Sequence, residues 1–258
     1  MEYLGFYPLL GIGEICKGDD VAGQLIDALE RGGHRPQSGD VLVVVHKIIS
    51  KAEGRQVALA DVVPGERARE LAAASGKHPA LVQLILEESE EVVAVQRGIL
   101  MCRSRLGWVS ANAGVDQSNA VDADHVILPP LDPDASAREI SRRLEAHFGS
   151  KVAVIISDTH GRPLREGIVG VAIGCWGMDP MRSYIGKPDR ANRIMRSSVE
   201  AVADELASAA SLLCGQGAEG IPAVLVKGCN LPWKECGSQS LKRSPEREIF
   251  SPKNGQNV

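Results

Sequence analysis

The sequence of 258 residues lacks several patterns that would assign it to a familiar class of protein. The phosphate-binding pattern GxxxxGK[ST] is absent, and the glycines of GIGEICKG do not have the spacing of the dinucleotide-binding pattern GxGxxG. Neither GxSxG nor HExxH occurs. The sequence therefore carries no P-loop, dinucleotide, serine-hydrolase or zinc-protease signature, although a glycine-rich loop can bind phosphate without one.

The composition also limits the partners and the location of the protein. Asp and Glu outnumber Lys and Arg by 33 to 29, which argues against a general nucleic-acid-binding protein. No apolar run is as long as a membrane span, so we expect no membrane partner. The first residues, MEYLGFYPLLGIGE, carry no basic segment, and we expect no signal peptide. The six cysteines form no CxxC pair, which indicates reduced thiols in a cytoplasmic protein.

Aromatic residues make up only 3% of the chain, so its core is expected to consist of aliphatic side chains. Apolar patterning predicts an α+β protein with interleaved strands and helices. Ser136 and Glu139 are expected to form a capping box at the start of one helix. We expect one domain of two interleaved α+β subdomains over residues 1–240, followed by a polar, mobile tail over 241–258. The predicted strands cover residues 41–45, 92–95, 99–102, 126–128, 152–156, 169–173 and 223–226, and the predicted helices cover 20–33, 64–75, 79–88, 136–148 and 198–214.

Two polar segments in the first quarter of the chain are suited to an anionic ligand. Segment 8–20, PLLGIGEICKGDD, can present backbone N–H groups to a phosphate, and an ordinary loop is the alternative. In segment 46–55, HKIISKAEGR, three cations recur every four residues: Lys47, Lys51 and Arg55. They would share one face of a helix, which suits an anionic ligand or, alternatively, a solvated surface.

The segment ANAGVDQSNA is suited to a metal ion. Asn112, Asp116, Ser118 and Asn119 lie among small residues in this segment. Carboxylate and amide oxygens are ligands that Mg²⁺ prefers, and Mg²⁺ commonly binds few carboxylates together with substrate phosphates. An ordinary turn rich in Asn, Asp and Gly is the alternative interpretation.

A more concentrated polar cluster, ISDTHGRPLREG, follows the predicted buried strand 152–156. Asp158 and Thr159 are expected where this strand ends in a Gly-Arg-Pro turn, and strand ends commonly gather ligands in α/β proteins. The carboxylate and hydroxyl are suited to a metal, and Arg162 and Arg165 to phosphates or carboxylates. A buried turn held by salt bridges is the alternative.

Together these segments resemble one family, the coenzyme F-420-0 gamma-glutamyl ligases. The resemblance implies a fold that is neither P-loop nor Rossmann, and a homodimer. It also implies a GTP-dependent ligase that joins L-glutamate to the carboxylate of a deazaflavin precursor through an acyl phosphate, giving GDP and phosphate, with two divalent ions, Mg²⁺ or Mn²⁺, and K⁺. The matching stretches occur in the family's order over most of residues 5–230: GIGEICKGDD, GDVLVVVHKIISKAEGR, ANAGVDQSNA, DPDASAREI, ISDTHGRPLREGIVGVAIGCWG and AVADELASAASLLCGQGAEGIPAVLVKG.

The resemblance also implies roles for individual residues. Asp116 and Asp158 are the implied metal ligands, assisted by Thr159 and Gln216, and both carboxylates and Lys51 are the implied catalytic residues. The implied nucleotide contacts are Ile12, Gly13, Glu14, Ile15, His46, Lys51, Asn119, Cys214, Gly215, Gln216, Gly217, Ala218, Glu219, Gly220 and Ile221.

Some positions differ from the family's usual pattern and leave two alternatives open. Leu106 stands where the family often has His, Leu164 where it often has Trp, and Trp176 is bulkier than usual. The same ligase chemistry on a different carboxylate or amino acid is the first alternative. The second is a non-catalytic protein that binds a nucleotide or a deazaflavin. His46 and Cys214 also differ, since a small hydroxyl residue or Gln, and Met, are more usual there.

Overall fold

A computed structural model describes residues 3–162 and 164–247 of the chain, in which helices and strands are interleaved. The strands are β1 (Gly5–Pro8), β2 (Val41–Val45), β3 (Gln56–Ala58), β4 (Ser89–Gln96), β5 (Ile99–Ser104), β6 (Val109–Ala111), β7 (His125–Ile127), β8 (Ala153–Arg162), β9 (Arg165–Trp176), β10 (Arg182–Ser183), β11 (Val199–Glu200) and β12 (Ala223–Lys227). The helices are α1 (Val21–Arg31), α2 (His46–Ala52), α3 (Glu66–Ser75), α4 (Pro79–Glu87), α5 (Pro133–Phe148) and α6 (Val202–Cys214).

A five-stranded sheet with the order β1-β12-β2-β8-β9 forms the centre of the molecule. Only β2 and β8 run parallel among these neighbours, and the other pairs are antiparallel. Side chains alternate between the two faces, as in any strand. Leu42 and Val44 pack with α1 and α5 on one face, whereas Val41 and Val43 pack with α6 on the other. Burial on both faces explains why β2 is apolar at every position.

A separate hydrophobic cluster lies around α3, α4 and the sheet β4-β5-β6. Leu71, Ile85 and Leu100 are among its buried side chains. The mixed helix and sheet content confirms the predicted α+β class, and the interleaved subdomains stay a prediction. In the part of the chain that the structure describes, no helix is both long and apolar enough to cross a membrane. Residues 248–258 of the predicted tail lie outside the described residues.

Two predicted helix starts are wrong. Helix α5 begins at Pro133 and not near Ser136, because the Asp132 side chain caps it by accepting a hydrogen bond from the Ala135 N–H at 2.9 Å. Ser136 therefore lies in the first turn and forms no capping box. Helix α6 begins at Val202, since residues 199–200 pair with β10. The short strands β1, β3, β6, β10 and β11 were not predicted, because they have too few residues for a periodic pattern.

Candidate functional site

The candidate site lies where β2 ends and its parallel neighbour β8 continues. Val45 pairs with Ser157 at the end of β2, and α2 begins at the next residue, His46. Strand β8 runs on to Arg162 in a hairpin with β9, after an irregularity between Ile156 and Ser157. The prediction that the strand ends at Asp158 and Thr159 is therefore wrong. Asp158 instead lies within β8, just beyond the last residue of β2.

A cavity of about 300 Å³ opens at this edge of the sheet. Its walls come from the loop before α1, the start of α2, the polar part of β8 and the loop after α6. Ala218 and Glu219 are absent from its lining, and the Glu219 carboxylate instead accepts a hydrogen bond from the Gly217 N–H at 2.8 Å. The other predicted nucleotide contacts all line the cavity: Ile12, Gly13, Glu14, Ile15, His46, Lys51, Asn119, Cys214, Gly215, Gln216, Gly217, Gly220 and Ile221.

The three regularly spaced cations go to three different places. Lys51 is buried at the cavity wall, where its ammonium group hydrogen-bonds the Glu14 carboxylate. Lys47 also lies on α2, but its ammonium group contacts Asp116, with 2.7 Å between Nζ and Oδ2. Arg55 follows the end of α2 and binds Glu88 at 2.7 Å, outside the cavity. The prediction that all three share one helix face is wrong for Arg55.

The Asp116 carboxylate is held by a cation and by its own turn. Besides Lys47, it accepts hydrogen bonds from the Ser118 N–H and the Ser118 hydroxyl, each at 2.8 Å. Burial raises the pKa of the Asp116 carboxyl, but Lys47 and Ser118 together outweigh burial and bring the pKa below its usual value. The group is therefore an anion at neutral pH.

The Asp158 carboxylate lies deeper and faces two imidazoles. His46 Nε2 is 3.4 Å from Oδ1, and His160 Nε2 is 3.9 Å from Oδ2. The Thr159 N–H donates to Oδ1 at 2.6 Å. Burial raises the pKa of the Asp158 carboxyl, but the two histidines and this N–H more than offset it, so the pKa lies below its usual value.

Asp116 and Asp158 border a second cleft, of about 180 Å³, which adjoins the larger cavity through Asp158 and Thr159. Gly114 lies close to Asp158, because a Cβ atom added to it would be 3.8 Å from Asp158 Oδ2. The structure thus brings three of the four predicted metal ligands to one cleft. Gln216 lines only the larger cavity.

The oxygen groups around this cleft fit a hard divalent cation. Two ionised carboxylates, the Thr159 hydroxyl and the Asn112 amide border it. Asn112 Oδ1 is buried and has no hydrogen-bond partner, which in a folded protein costs about 1–3 kcal/mol. Among the described residues, no three His, Cys, Asp or Glu side chains are grouped so that they could hold a metal ion. Two carboxylates with neutral oxygens match the way Mg²⁺ binds beside substrate phosphates.

Sequence reasoning missed some contacts and misplaced others. Lys47 was recognised only as one of three regularly spaced cations, and its contact with Asp116 depends on a fold that brings residues far apart in the sequence together. Arg162 donates to the Glu166 carbonyl at 2.6 Å and stabilises the β8–β9 hairpin. Arg165 is exposed on that hairpin, and neither arginine lines the cavity or the cleft.

Comparison with known proteins places this fold and site in the ligase class of enzymes. Residues 10–228 match the family described as F420-0:Gamma-glutamyl ligase. The chain belongs to this F420-0:gamma-glutamyl ligase family, as its motifs predicted. The alternative of a non-catalytic binding protein is therefore wrong.

Individual relatives agree with the family match over nearly the whole chain. A coenzyme F420:L-glutamate ligase of Methanothermobacter thermautotrophicus is 43% identical over 94% of this chain and 95% of its own. One of Archaeoglobus fulgidus is 45% identical over 95% of both chains. A third, of Methanopyrus kandleri, is 42% identical over 92% of this chain and 93% of its own. The family and these relatives support ligation of glutamate in coenzyme F420 metabolism as the general activity.

Proposed function

We propose that this enzyme uses GTP to form an amide between L-glutamate and the carboxylate of the deazaflavin precursor coenzyme F420-0. The main support for this proposal is the large cavity at the end of β2, because its lining includes nearly every residue that the family resemblance assigns to the nucleotide. The adjoining cleft places the Asp116 and Asp158 carboxylates beside it. A nucleotide bound in the cavity would therefore have its phosphates near paired oxygen ligands.

The chemistry follows from the properties of a carboxylate. It is a poor acyl donor, because oxide would have to leave. Transfer of the γ-phosphoryl group of GTP to the acceptor carboxylate releases GDP and makes an acyl phosphate. The glutamate amine then attacks the acyl carbon, the bond from that carbon to the phosphate oxygen breaks, phosphate leaves, and the nitrogen loses a proton. No nucleophilic side chain is needed, which agrees with the absence of such a motif from the sequence.

Residues of the chain itself would bind and orient the phosphates. Lys51 is buried at the cavity wall, so its charge acts through a medium of low dielectric and favours the negative charge that develops during phosphoryl transfer. The cavity lining includes Ile12 and Gly13 from one glycine-rich segment and Gly215 to Gly217 from another, and glycine-rich segments can present backbone N–H groups to phosphates. Glu14 forms an ion pair with Lys51, and this ion pair would have to break for Lys51 to contact a phosphate.

Divalent cations are part of the proposal, since the donor groups of the cleft fit them. Asp116, Asp158 and Thr159, with Gln216 on the cavity side, would hold two Mg²⁺ or Mn²⁺ ions. Such ions, when bound, neutralise phosphate charge during transfer. A monovalent cation, K⁺, and assembly as a homodimer complete the proposal, both on the basis of the family resemblance.

A second candidate keeps the same chemistry on a different carboxylate or amino acid. It is favoured by Leu164, which is 87% exposed on the β8–β9 hairpin, where the family often has Trp. Leu106, in place of the family's frequent His, lies in the turn after β5. Neither residue lines the nucleotide cavity or the adjoining cleft, so these differences would alter the acceptor more than the phosphoryl transfer.

A direct assay separates the two candidates. The purified chain is incubated with the deazaflavin precursor, GTP, Mn²⁺, K⁺ and L-glutamate, and the products are identified by mass spectrometry. We expect GDP and a product heavier by one glutamyl unit. GDP release that requires another carboxylate or amino acid would favour the second candidate, and no GDP release with any acceptor tested would contradict both.

Two variants in which a cationic side chain is replaced by methionine test the role of Lys51 in this assay. Lys51→Met should lower kcat/KM by about 100-fold, because one positioned cation contributes on that order to phosphoryl transfer. Arg55→Met is the matched control, since Arg55 belongs to the same sequence repeat but lies outside the cavity. Its GTP affinity should equal that of the unchanged protein. Equal activity of both variants would contradict the proposed role of Lys51.

A further inference from the structure

We propose that Asn112 supplies a further ligand, through its Oδ1 atom, to the divalent cation held by Asp116 and Asp158. The inference rests on the proposed function, because it deepens the description of the same cation site. Asn112 is not among the metal ligands that the family resemblance implies. It is singled out by its position on the cleft wall and by its Oδ1 atom, which is buried and has no hydrogen-bond partner.

The turn that carries Asn112 is held in place from both sides. Asn112 begins a short 3-10 helix (Asn112–Gly114) directly after β6, and its carbonyl accepts a hydrogen bond from the Val115 N–H at 2.9 Å. Ala113 is only 1% exposed and packs in the cluster around α3 and α4. The anchored turn holds Asn112 among the residues that line the cleft.

The backbone of this turn is unusual as well. Asn112 and Ala113 both have φ of +54°, in the left-handed region that residues with a side chain rarely adopt. Asparagine tolerates this conformation better than most residues. Backbone outliers of this kind persist where the surrounding structure holds them, and they are concentrated at ligand sites.

The chemistry around Asn112 Oδ1 identifies the partner that it requires. Oδ1 is a hydrogen-bond acceptor, it is buried, and no protein group donates to it. Its charged neighbours on the cleft wall, Asp116 and Asp158, are ionised acceptors and cannot donate to it. Three acceptor oxygens around one cleft are complementary to a cation. Amide and carboxylate oxygens are the ligands that Mg²⁺ and Mn²⁺ accept, which makes a hard divalent ion the occupant.

The experiment measures Mn²⁺ binding to the full chain by electron paramagnetic resonance in the presence of GDP. Asn112→Gly keeps the left-handed backbone and removes the oxygen, so Mn²⁺ affinity should fall by about tenfold or more. Asn112→Asp keeps an oxygen at the same place, and its Mn²⁺ affinity should equal or exceed that of the unchanged protein. Asn192→Gly is the matched control, because Asn192 is also left-handed, with φ of +61°, but is exposed and away from the cleft.

A second readout separates lost ligation from a disturbed fold. GDP affinity measured with a chelator present should be the same for Asn112→Gly and the unchanged protein, whereas a collapsed site would lower it. The assignment of Asn112 would be overturned if Asn112→Gly bound Mn²⁺ within twofold of the affinity of the unchanged protein. In that case, ligase activity with Mn²⁺ would show that the proposed function survives. If the unchanged protein binds no Mn²⁺ with GDP, the cation site itself fails and this inference fails with it.

Discussion

Asp116 and Asp158 border the same cleft, but the two regions that carry them hold a carboxylate in different ways. Asp116 lies in a loop, its side chain is 39% exposed, and it is neutralised by Lys47. Asp158 lies inside a strand of the central sheet, its side chain is 16% exposed, and it faces His46 and His160. One carboxylate is accessible and already paired with a full charge, and the other is largely buried beside two imidazoles.

The two carboxylates also differ in whether residues near in sequence or distant strands position them. The contacts of Asp116 with Ser118 arise within three residues of sequence, and only Lys47 is distant. Asp158 depends on the pairing of β8 with β2 and β9, which positions it beyond the end of β2. A change at Asp116 should therefore be partly compensated by solvent and Lys47, whereas a change at Asp158 should not.

The largest expected effect tests this contrast directly. Asp158→Asn should lower the rate of GDP release by about 1000-fold, as removal of a central electrostatic group does in other active sites. Asp116→Asn should cost about tenfold less, because Lys47 then loses its partner and remains as a cation for phosphate. Steady-state kinetics with saturating Mn²⁺ measures both. Equal losses would show that the two carboxylates do not differ in the way described.

Gly114→Ala is expected to have the next largest effect. Gly114 has φ of +80°, and an added Cβ would lie 3.1 Å from Pro129 Cγ, so the variant should lose roughly 1–2 kcal/mol of unfolding free energy. Mn²⁺ affinity should fall as well, since the turn beside Asp158 has to shift. Gly76→Ala is the control, because Gly76 has φ of +72° with open space around it. It should lose similar stability in urea unfolding without any change in Mn²⁺ affinity.

Ser118→Ala should produce a smaller change, confined to the Asp116 region. It removes one hydroxyl donor to Oδ2 and keeps the Ser118 N–H, so the cost is about 1 kcal/mol. Because that donor helps to lower the pKa of Asp116, its loss should raise this pKa. Mn²⁺ binding should then be lost at a higher pH on acid titration than in the unchanged protein. An unchanged pH midpoint would show that Lys47 and the retained Ser118 N–H are sufficient to keep Asp116 ionised.

The smallest expected effect concerns a thiol that lines the cavity together with Asp158. Burial raises the pKa of Cys214 to about 11, so little thiolate is present at pH 8. Iodoacetamide should modify exposed Cys16 before Cys214, as followed by mass spectrometry of peptides. GDP should slow the reaction of Cys214 further and leave Cys16 unaffected. Rapid modification of Cys214 in the presence of GDP would contradict its place in the nucleotide cavity.

The elements that the sequence predicted well are those with a local cause. Both ends of strand Val41–Val45 were predicted correctly, because an unbroken apolar run of Val and Leu strongly favours a buried strand. The helix predicted over residues 20–33 corresponds to α1, whose start is fixed locally because the Asp20 side chain accepts a hydrogen bond from the Gly23 N–H. The start of α5 was misplaced, since Asp132 followed by Pro133 is a stronger start signal than Ser136.

The site was predictable only in part, because its geometry comes from pairing between distant strands. Asp116, Asp158 and Lys51 were identified as chemically suitable, but nothing in their spacing showed that the two carboxylates border one cleft. That expectation came from the family resemblance. The extension of β8 through Asp158 was missed, because polar residues such as Thr159 and His160 do not look like a buried strand.

The junction between β2 and α2 limits how the length of this chain can change. Val45 ends the strand and His46 begins the helix, so no linker residue can absorb an insertion. One added residue there would rotate the helix by about 100° about its axis. Lys47 and Lys51 would then turn away from Asp116 and from the cavity. Insertions and deletions should therefore be far less tolerated at this junction than substitutions.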